Sequence, residues 1–213
     1  FETALELDLF GKMFSAIAIS LVKEKKGTDD FVTDFSKIVF KEESGKISKK
    51  MVNAAISWLY FSGIIGFCAK ITEMDVLDFK PASRCYFMDL GLANYYLTLT
   101  GTDAATLSGT LNENFVYINL KKRQDFPAEI AFETPAFATY KGGEIDFVAQ
   151  TLKNRVRYLI EVKAGKGTAT TSLKALEHGK ADHLLYLKGD TKGGIDKKVR
   201  TLPIYLLERF NFQ

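Results

Sequence analysis

Four ionisable residues in the second half of the chain have the types and spacing needed for phosphodiester chemistry. Glu113 lies in a stretch with helical periodicity, Asp146 in an alternating apolar stretch, and Glu161 and Lys163 together in another. Because side chains alternate between the two faces of a strand, Glu161 and Lys163 should point the same way. If the two stretches are neighbouring strands, Asp146 converges with them.

Such a cluster suits a hard divalent cation. The carboxylates of Asp146 and Glu161, with the backbone carbonyl of Val162, are oxygen ligands of the kind that magnesium or manganese prefers. The cation would polarise a phosphate and lower the pKa of a bound water. Lys163 could orient or deprotonate that water, or neutralise the charge that grows on the phosphate. Glu113 could complete the metal shell directly or through water. The competing interpretation is structural, because Glu-X-Lys on a strand is also a common ion pair.

The elements that must position these residues follow a mixed α/β pattern. Their order predicts a mixed-sheet α/β domain in the second half of the chain. The spacing predicts a helix over 112–123, strands over 130–132, 144–149 and 157–162, a helix over 172–179, and strands over 184–187 and 202–207.

The first half of the chain is predicted to begin with three helices. Apolar residues recur at helical spacing over 10–21, which predicts a first helix. A second helix is predicted over 31–40. A third is predicted over 49–61, begun by Ser48 as its N-cap and ended at Gly63.

Two β-like runs, 64–71 and 84–88, follow these helices. Three helices and a two-stranded hairpin are the layout of a winged helix, whose third helix can enter a DNA groove. Lys49 and Lys50, at the start of that helix, are therefore candidate nucleic-acid contacts. The alternative is that the same module packs against a neighbouring domain.

The stretch 98–109 is rich in Thr, Gly, Ser and Asp and predicts a boundary between a winged-helix domain, 1–97, and an α/β domain, 107–213. Residues 1–97 hold 12 basic and 13 acidic residues, a balance of −1, whereas residues 98–213 hold 17 and 13, a balance of +4. The excess of base in the half that carries the acidic cluster favours a phosphate-rich partner. Lys166 is a further candidate contact.

Two features bear on the compartment. Cys68 and Cys85 both lie in apolar, strand-like stretches, and no Cys/His spacing is typical of zinc, which favours the reducing cytoplasm. The uncharged residues 51–69 are long enough for a membrane span, but their polar residues and an internal helix stop favour a helix followed by a strand. We therefore predict no membrane contact.

Three motifs carry a resemblance to known proteins. Asn-Glu-Asn-Phe-Val at 112–116, Gly-Gly-Glu-Ile-Asp-Phe-Val at 142–148 and Ile-Glu-Val-Lys-Ala-Gly at 160–165 resemble the motifs of the PD-(D/E)xK nuclease superfamily. The last two are similar to those of archaeal Holliday-junction resolvases. With Tyr-Phe-Met-Asp-Leu-Gly-Leu at 86–92, the set more closely resembles one family of prokaryotic AAA-type ATPases. In that family a P-loop ATPase is followed by a winged helix and a nuclease-like domain.

The resemblance covers nearly the whole chain. It implies a PD-(D/E)xK nuclease-like domain preceded by a small winged helix, with Asp146 and Glu161 as metal ligands, Lys163 as the catalytic lysine and Glu113 as the helix acid. One departure is Ile145, where the nominal motif has proline. The chain contains no G-x-x-x-x-G-K-[ST] loop, so ATP would be used only by an ATPase domain upstream of Phe1.

The leading hypothesis is the C-terminal region of an AAA-type ATPase with a metal-dependent nuclease-like domain that acts on nucleic acid, with DNA the favoured substrate. ATPase relatives of this type make self-association reasonable. Two alternatives stay open. One is a catalytically inactive scaffold that serves as an interaction or regulatory module. The other is a stand-alone resolvase or restriction-type endonuclease.

Overall fold

The computed structural model of the 213-residue chain describes most of both halves. The predicted helix over 31–40, Ser48, Lys166 and the side chain of Lys49 lie outside the described residues. The described ranges are 7–23, 49–78, 84–126, 129–132, 134–163 and 169–213.

The described residues form five α-helices, nine strands and one 3-10 helix. The α-helices are α1 (Leu7–Lys23), α2 (Lys49–Phe61), α3 (Leu90–Leu99), α4 (Ala104–Asp125) and α5 (Thr170–Glu177). The strands are β1 (Ile65–Thr72), β2 (Val76–Asp78), β3 (Arg84–Phe87), β4 (Ala136–Tyr140), β5 (Gly143–Gln150), β6 (Arg157–Lys163), β7 (His183–Lys188), β8 (Gly194–Asp196) and β9 (Val199–Pro203), and the 3-10 helix is Ile204–Arg209.

All of these strands belong to one mixed sheet. Eight lie in the order β2–β1–β4–β5–β6–β7–β9–β8, and β3 pairs with β1 beside this path. The pairs β1/β4, β6/β7 and β7/β9 are parallel, and the other pairs are antiparallel. The predicted mixed α/β class is confirmed.

The sheet crosses the predicted domain boundary. In β1, Ala69 and Ile71 pair with Ala136 and Ala138 of β4, although β1 precedes the predicted boundary and β4 follows it. The division into 1–97 and 107–213 stays a prediction, and the two segments share backbone hydrogen bonds as well as side-chain packing.

Two hydrophobic clusters flank the sheet. Along β6, Ile160 and Val162 belong to the first cluster and Leu159 to the second, as the alternation of strand side chains requires. The first cluster also includes the buried apolar residues of α1, α2, α3 and α4, and the second includes those of α5. The result is a sheet covered by helices on both faces.

Several predictions for the first half are confirmed. The stripe of α1 is buried at Met13, Ile17 and Leu21. Helix α2 ends at Phe61, and the predicted cap Gly63 follows it with a φ of +68°. The Ile64 amide donates to the Leu59 carbonyl there, which satisfies the last turn of the helix. In the described part of the chain, no helix is long and apolar enough to cross a membrane.

Helix α4 begins well before the predicted start at 112. The carboxylate of Asp103 accepts hydrogen bonds from the amides of Ala105 and Thr106, so the helix starts at Ala104. Residues 104–109 of the predicted boundary stretch therefore belong to helix α4. The composition that suggested a boundary includes, in Asp103, the N-cap that starts this helix.

The strands after α4 also differ from the prediction. Residues 130–132 do not form a strand, because Ile130 makes only an isolated bridge with Thr151 and Phe132 has a φ of +78°. The strand that precedes β5 and pairs with it is β4 (Ala136–Tyr140), which the sequence pattern missed. The predicted strand over 202–207 is also wrong at its end, since β9 stops at Pro203 and a 3-10 helix follows.

Asn114 fastens α4 to the sheet. Its buried side-chain amide donates to the Phe87 carbonyl at 2.8 Å and accepts from the Phe87 amide at 3.0 Å. A side chain thereby satisfies both polar groups of a buried strand residue, as a neighbouring strand would. Because Glu113 is the adjacent residue, this contact also fixes where Glu113 lies.

We expect Asn114→Ala to lower the free energy of unfolding by about 2–4 kcal/mol, because both backbone groups of Phe87 lose a buried partner. Asn114→Asp should cost at least as much, since a carboxylate cannot donate to the Phe87 carbonyl. Urea denaturation followed by circular dichroism measures both. The control is Asn94→Ala on the exposed face of α3, and an equal loss in the control would contradict the assignment.

Candidate active site

The strands β5 and β6 separate at the candidate site. Their antiparallel register pairs Phe147 with Ile160, so Asp146 and Glu161 would be the next pair. At that point Asp146 Oδ2 accepts a hydrogen bond from the Val162 amide at 2.8 Å. The carboxylate thus binds a backbone group of the neighbouring strand, just beyond the last backbone pair.

A β-bulge sets the direction of Asp146. The β4/β5 register shifts between Ala136, which pairs with Val148, and Ala138, which pairs with Ile145. Consequently Ile145 lies in the second hydrophobic cluster and Phe147 in the first. Strict alternation along the strand would place Ile145 and Phe147 on the same face, but the bulge breaks the alternation and re-aims Asp146, which lies between them.

Lys163 connects the two acidic residues. Its Nζ lies 2.8 Å from Glu161 Oε2 and 3.5 Å from Asp146 Oδ2. Burial lowers the pKa of Lys163, but the charge of Asp146 and the hydrogen bond to Glu161 outweigh it, and the pKa lies above its usual range. The lysine is therefore a permanent cation between two carboxylates.

Glu161 is almost completely buried, with 2% of its surface exposed. Its Oε1 accepts a short hydrogen bond from the hydroxyl of Ser172 on α5, which is fully buried. Burial and the charge of Asp146 raise the pKa of Glu161 to about 7, although Lys163 and Ser172 oppose the shift. Each oxygen of this carboxylate thus has a partner within the protein.

A pocket of about 460 Å³ opens beside this cluster. Glu113, Asp146 and Lys163 line it together, whereas Glu161 lies behind Lys163 and is not among the lining residues. The structure thus brings three of the predicted catalytic residues to one surface and keeps the fourth beneath it. The remaining lining residues are Leu21, Arg84, Tyr86, Ala105, Thr106, Gly109, Thr110, Glu144 and Val162.

The oxygen donors fit a cation that keeps part of its water shell. No three His, Cys, Asp or Glu side chains in the described ranges form a group that could hold a metal ion. Magnesium usually binds one or two protein carboxylates and retains several waters. Asp146 and the Val162 carbonyl could take part as they stand, whereas Glu161 would first have to release Lys163 or Ser172.

Of the predicted nucleic-acid contacts, Lys50 is the one whose side chain the structure describes, and it does not line the pocket. Lys50 is exposed at the start of α2, on the same exposed face as Asn53 and Ser57. The buried face of α2 packs on β1. Lys50 therefore lies on an accessible helix face, and its role in binding nucleic acid stays a prediction.

The sequence patterns did not predict two residues of the site, Ser172 and Arg84. Ser172 shares the buried face of α5 with Ala175 and Leu176, so a hydroxyl on an otherwise apolar helix face was the available signal. Arg84 begins the fully buried strand β3, where a charged residue needs a partner. The structure also explains why the Gly-Glu-Ile-Asp motif begins with glycine, since a Cβ on Gly143 would lie 2.0 Å from Thr171 Oγ1.

The comparisons with known proteins cover part of this architecture. Residues 108–207 match a family model described as a domain of unknown function, DUF4143. This domain is found in AAA-ATPase-associated proteins. The matched segment contains Glu113, Asp146, Glu161, Lys163 and Ser172, but it excludes Arg84 and the rest of the first half.

One solved structure similar to the chain is that of protein VC1899 from Vibrio cholerae. The two share 13% sequence identity with a TM-score of 0.31, over 93% of this chain. The chain spans about half, 52%, of that protein. No curated protein matches the chain.

The buried carboxyl group of Glu161 makes stability depend on pH. Its pKa is about 7 in the folded protein and 4.5 as a reference value, so the folded state binds the proton more tightly. The contribution of Glu161 is therefore fully present below pH 4.5 and is lost as pH rises through 7. We expect a loss of up to about 3 kcal/mol in metal-free buffer.

Urea denaturation with a chelator, at intervals between pH 5 and pH 8, measures this loss. Glu161→Gln should flatten the dependence, since its amide cannot ionise, whereas Glu177→Gln on the exposed part of α5 should leave it unchanged. An equally steep fall in stability for Glu161→Gln would show that another group is responsible.

Proposed function

We propose that this chain carries a magnesium- or manganese-dependent nuclease site of the PD-(D/E)xK type. The observation that supports the proposal is the convergence of Asp146, Glu161 and Lys163 where β5 and β6 separate, beside a pocket that Glu113 also lines. Asp146, Glu161 and the Val162 carbonyl would hold the cation. When bound, it would polarise the phosphate and lower the pKa of a water.

The residues of the chain have separate tasks in this proposal. Asp146 is held by the Val162 amide, so its position depends on the backbone of β6 and changes little when a ligand binds. In the metal-free site the pKa of Lys163 lies above its usual range, so the lysine would neutralise the charge that grows on the phosphate. Orientation or deprotonation of the attacking water is the alternative role considered from the sequence.

The nuclease site would belong to a larger protein. The match to DUF4143 and the resemblance to the C-terminal region of AAA-type ATPases both support an upstream ATPase domain. Such a protein would act in the cytoplasm on DNA, with ATP bound by the upstream domain. Lys50 and Lys166 would contribute to binding the nucleic acid.

A specific observation also favours a second candidate, a scaffold with no catalytic activity. Lys163 already bridges the two carboxylates, and Ser172 takes the other oxygen of Glu161. The acidic groups are therefore satisfied without a metal, as ion pairs retained for structure would be. The two candidates differ in whether a divalent cation can compete with the ammonium group of Lys163.

Titration calorimetry with manganese decides between the two candidates. For a nuclease site we expect binding by the wild type and loss of binding in Asp146→Asn, which removes charge at nearly constant volume. Lys163→Ala should bind at least as tightly as the wild type, because its removal frees both carboxylates. A wild type that binds no manganese at millimolar concentration would end the nuclease proposal in favour of the scaffold.

A second pair of residues supplies matched controls. Asp75 and Lys180 form a 2.8 Å ion pair away from the pocket. Asp75→Asn and Lys180→Ala should leave manganese binding unchanged, because they alter the same residue types at another place.

Cleavage of labelled DNA tests the chemistry separately. We expect nicking only with magnesium or manganese, and loss of nicking in both Asp146→Asn and Lys163→Ala, the latter with metal binding intact. Cleavage that persists in Lys163→Ala would contradict the role given to the lysine.

A further inference from the structure

Arg84 is a second cation in the pocket that Lys163 lines, and it comes from the first half of the chain. Its guanidinium carbon lies 3.8 Å from the centre of the Phe137 ring. Its Nη2 forms an ion pair with Glu144, a residue of β5 that also lines the pocket. Arg84 therefore stands on the pocket wall with its guanidinium group fixed by an aromatic ring and a carboxylate.

The two members of this ion pair are held very differently. The side chain of Arg84 is only 8% exposed, whereas that of Glu144 is 39% exposed. Glu144 can therefore rotate toward solvent once another anion takes its place, while Arg84 stays in place on Phe137.

A guanidinium group is suited to accept another anion in place of that carboxylate. Its donors are arranged in a plane that matches two oxygens of a carboxylate or of a phosphate equally well. Exchange of Glu144 for a phosphate would leave the buried cation paired throughout. The arginine would therefore avoid the cost of an unpaired buried charge at any stage.

We propose that Arg84 and Glu144 form a phosphate-binding subsite beside the Asp146–Lys163 cluster, in which Glu144 occupies the place of a phosphodiester group until nucleic acid binds. The inference rests on the proposed function for its ligand class, a nucleic-acid backbone. It goes beyond that function by making β3 of the first half part of the binding site. The segment 108–207 alone would lack this contact.

The proposed exchange of Glu144 for a phosphate predicts opposite effects on DNA binding for variants of Arg84 and of Glu144. We expect Arg84→Ala to weaken binding of a fluorescein-labelled DNA duplex roughly 10-fold and to lower the salt slope by about 1, since one phosphate contact is lost. Glu144→Gln should instead strengthen binding about threefold, because the competing carboxylate charge is removed. An ion pair retained only for stability would give no gain in binding when Glu144 is neutralised.

The measurement is fluorescence anisotropy at several salt concentrations, with the whole chain and a chelator present, so that neither metal binding nor cleavage enters. Labelled RNA of the same sequence, measured in parallel, shows whether the phosphate belongs to DNA or RNA. If Arg84→Ala does not fold by circular dichroism, Arg84→Lys serves instead. It keeps the charge, loses the planar group, and should weaken binding less.

Arg123 provides a matched control outside the pocket. It pairs with Glu129 at 2.5 Å and lies over the ring of Phe212, so it repeats the arrangement of a cation, a carboxylate and a ring. Arg123→Ala should leave nucleic-acid affinity unchanged, and equal weakening by Arg123→Ala and Arg84→Ala would overturn the inference.

Failure of this inference is distinguishable from failure of the proposed nuclease. A wild type that binds manganese but neither DNA nor RNA, or a Glu144→Gln variant that binds either more weakly, overturns the phosphate subsite and leaves the metal site standing. If Arg84→Ala weakens and Glu144→Gln strengthens nucleic-acid binding while the wild type binds no manganese, the phosphate subsite is supported and the nuclease proposal is contradicted.

Discussion

Burial of the Glu161 carboxylate is the constraint on which the site depends. A carboxylate with 2% of its surface exposed requires partners for both oxygens, and it has them in Lys163 and Ser172. These two contacts join β6 to α5 on one side and, through Lys163, to Asp146 on the other. The contacts of one acidic group thus hold α5, β6 and Asp146 of β5 together beside the pocket.

The pocket is a product of both halves of the chain. The β1/β4 pairing extends the sheet from the first half into the second, and Asn114 of α4 binds the backbone of Phe87 in β3. Through these contacts Arg84 and Tyr86 of β3 reach the wall that also carries Asp146 and Lys163. The chemistry that a single motif suggests is thus shaped by residues far from that motif in sequence.

Period-two alternation and helical spacing were sufficient to predict β5, β6 and α5 and the grouping of Glu161 with Lys163. They failed to place Ile145 and Phe147 on the correct faces, because a bulge breaks the alternation and its position depends on how β4 pairs with β5. They also missed Ser172 and Arg84, since a polar residue on a buried face acquires a role only when its partner is known. The spacing of residues along one helix or strand predicts which side chains share a face. Which residues of other elements they contact depends on how the strands and helices pair and pack.

The parallel pair β1/β4 has a consequence for how the chain can be divided. Ala69 pairs with Ala136, so this pairing closes a long loop and costs more chain entropy than a local hairpin does. A fragment that begins at the predicted boundary would leave the backbone of β4 unpaired along one side. Open strand edges of this kind recruit other strands, so such a fragment would be prone to aggregation.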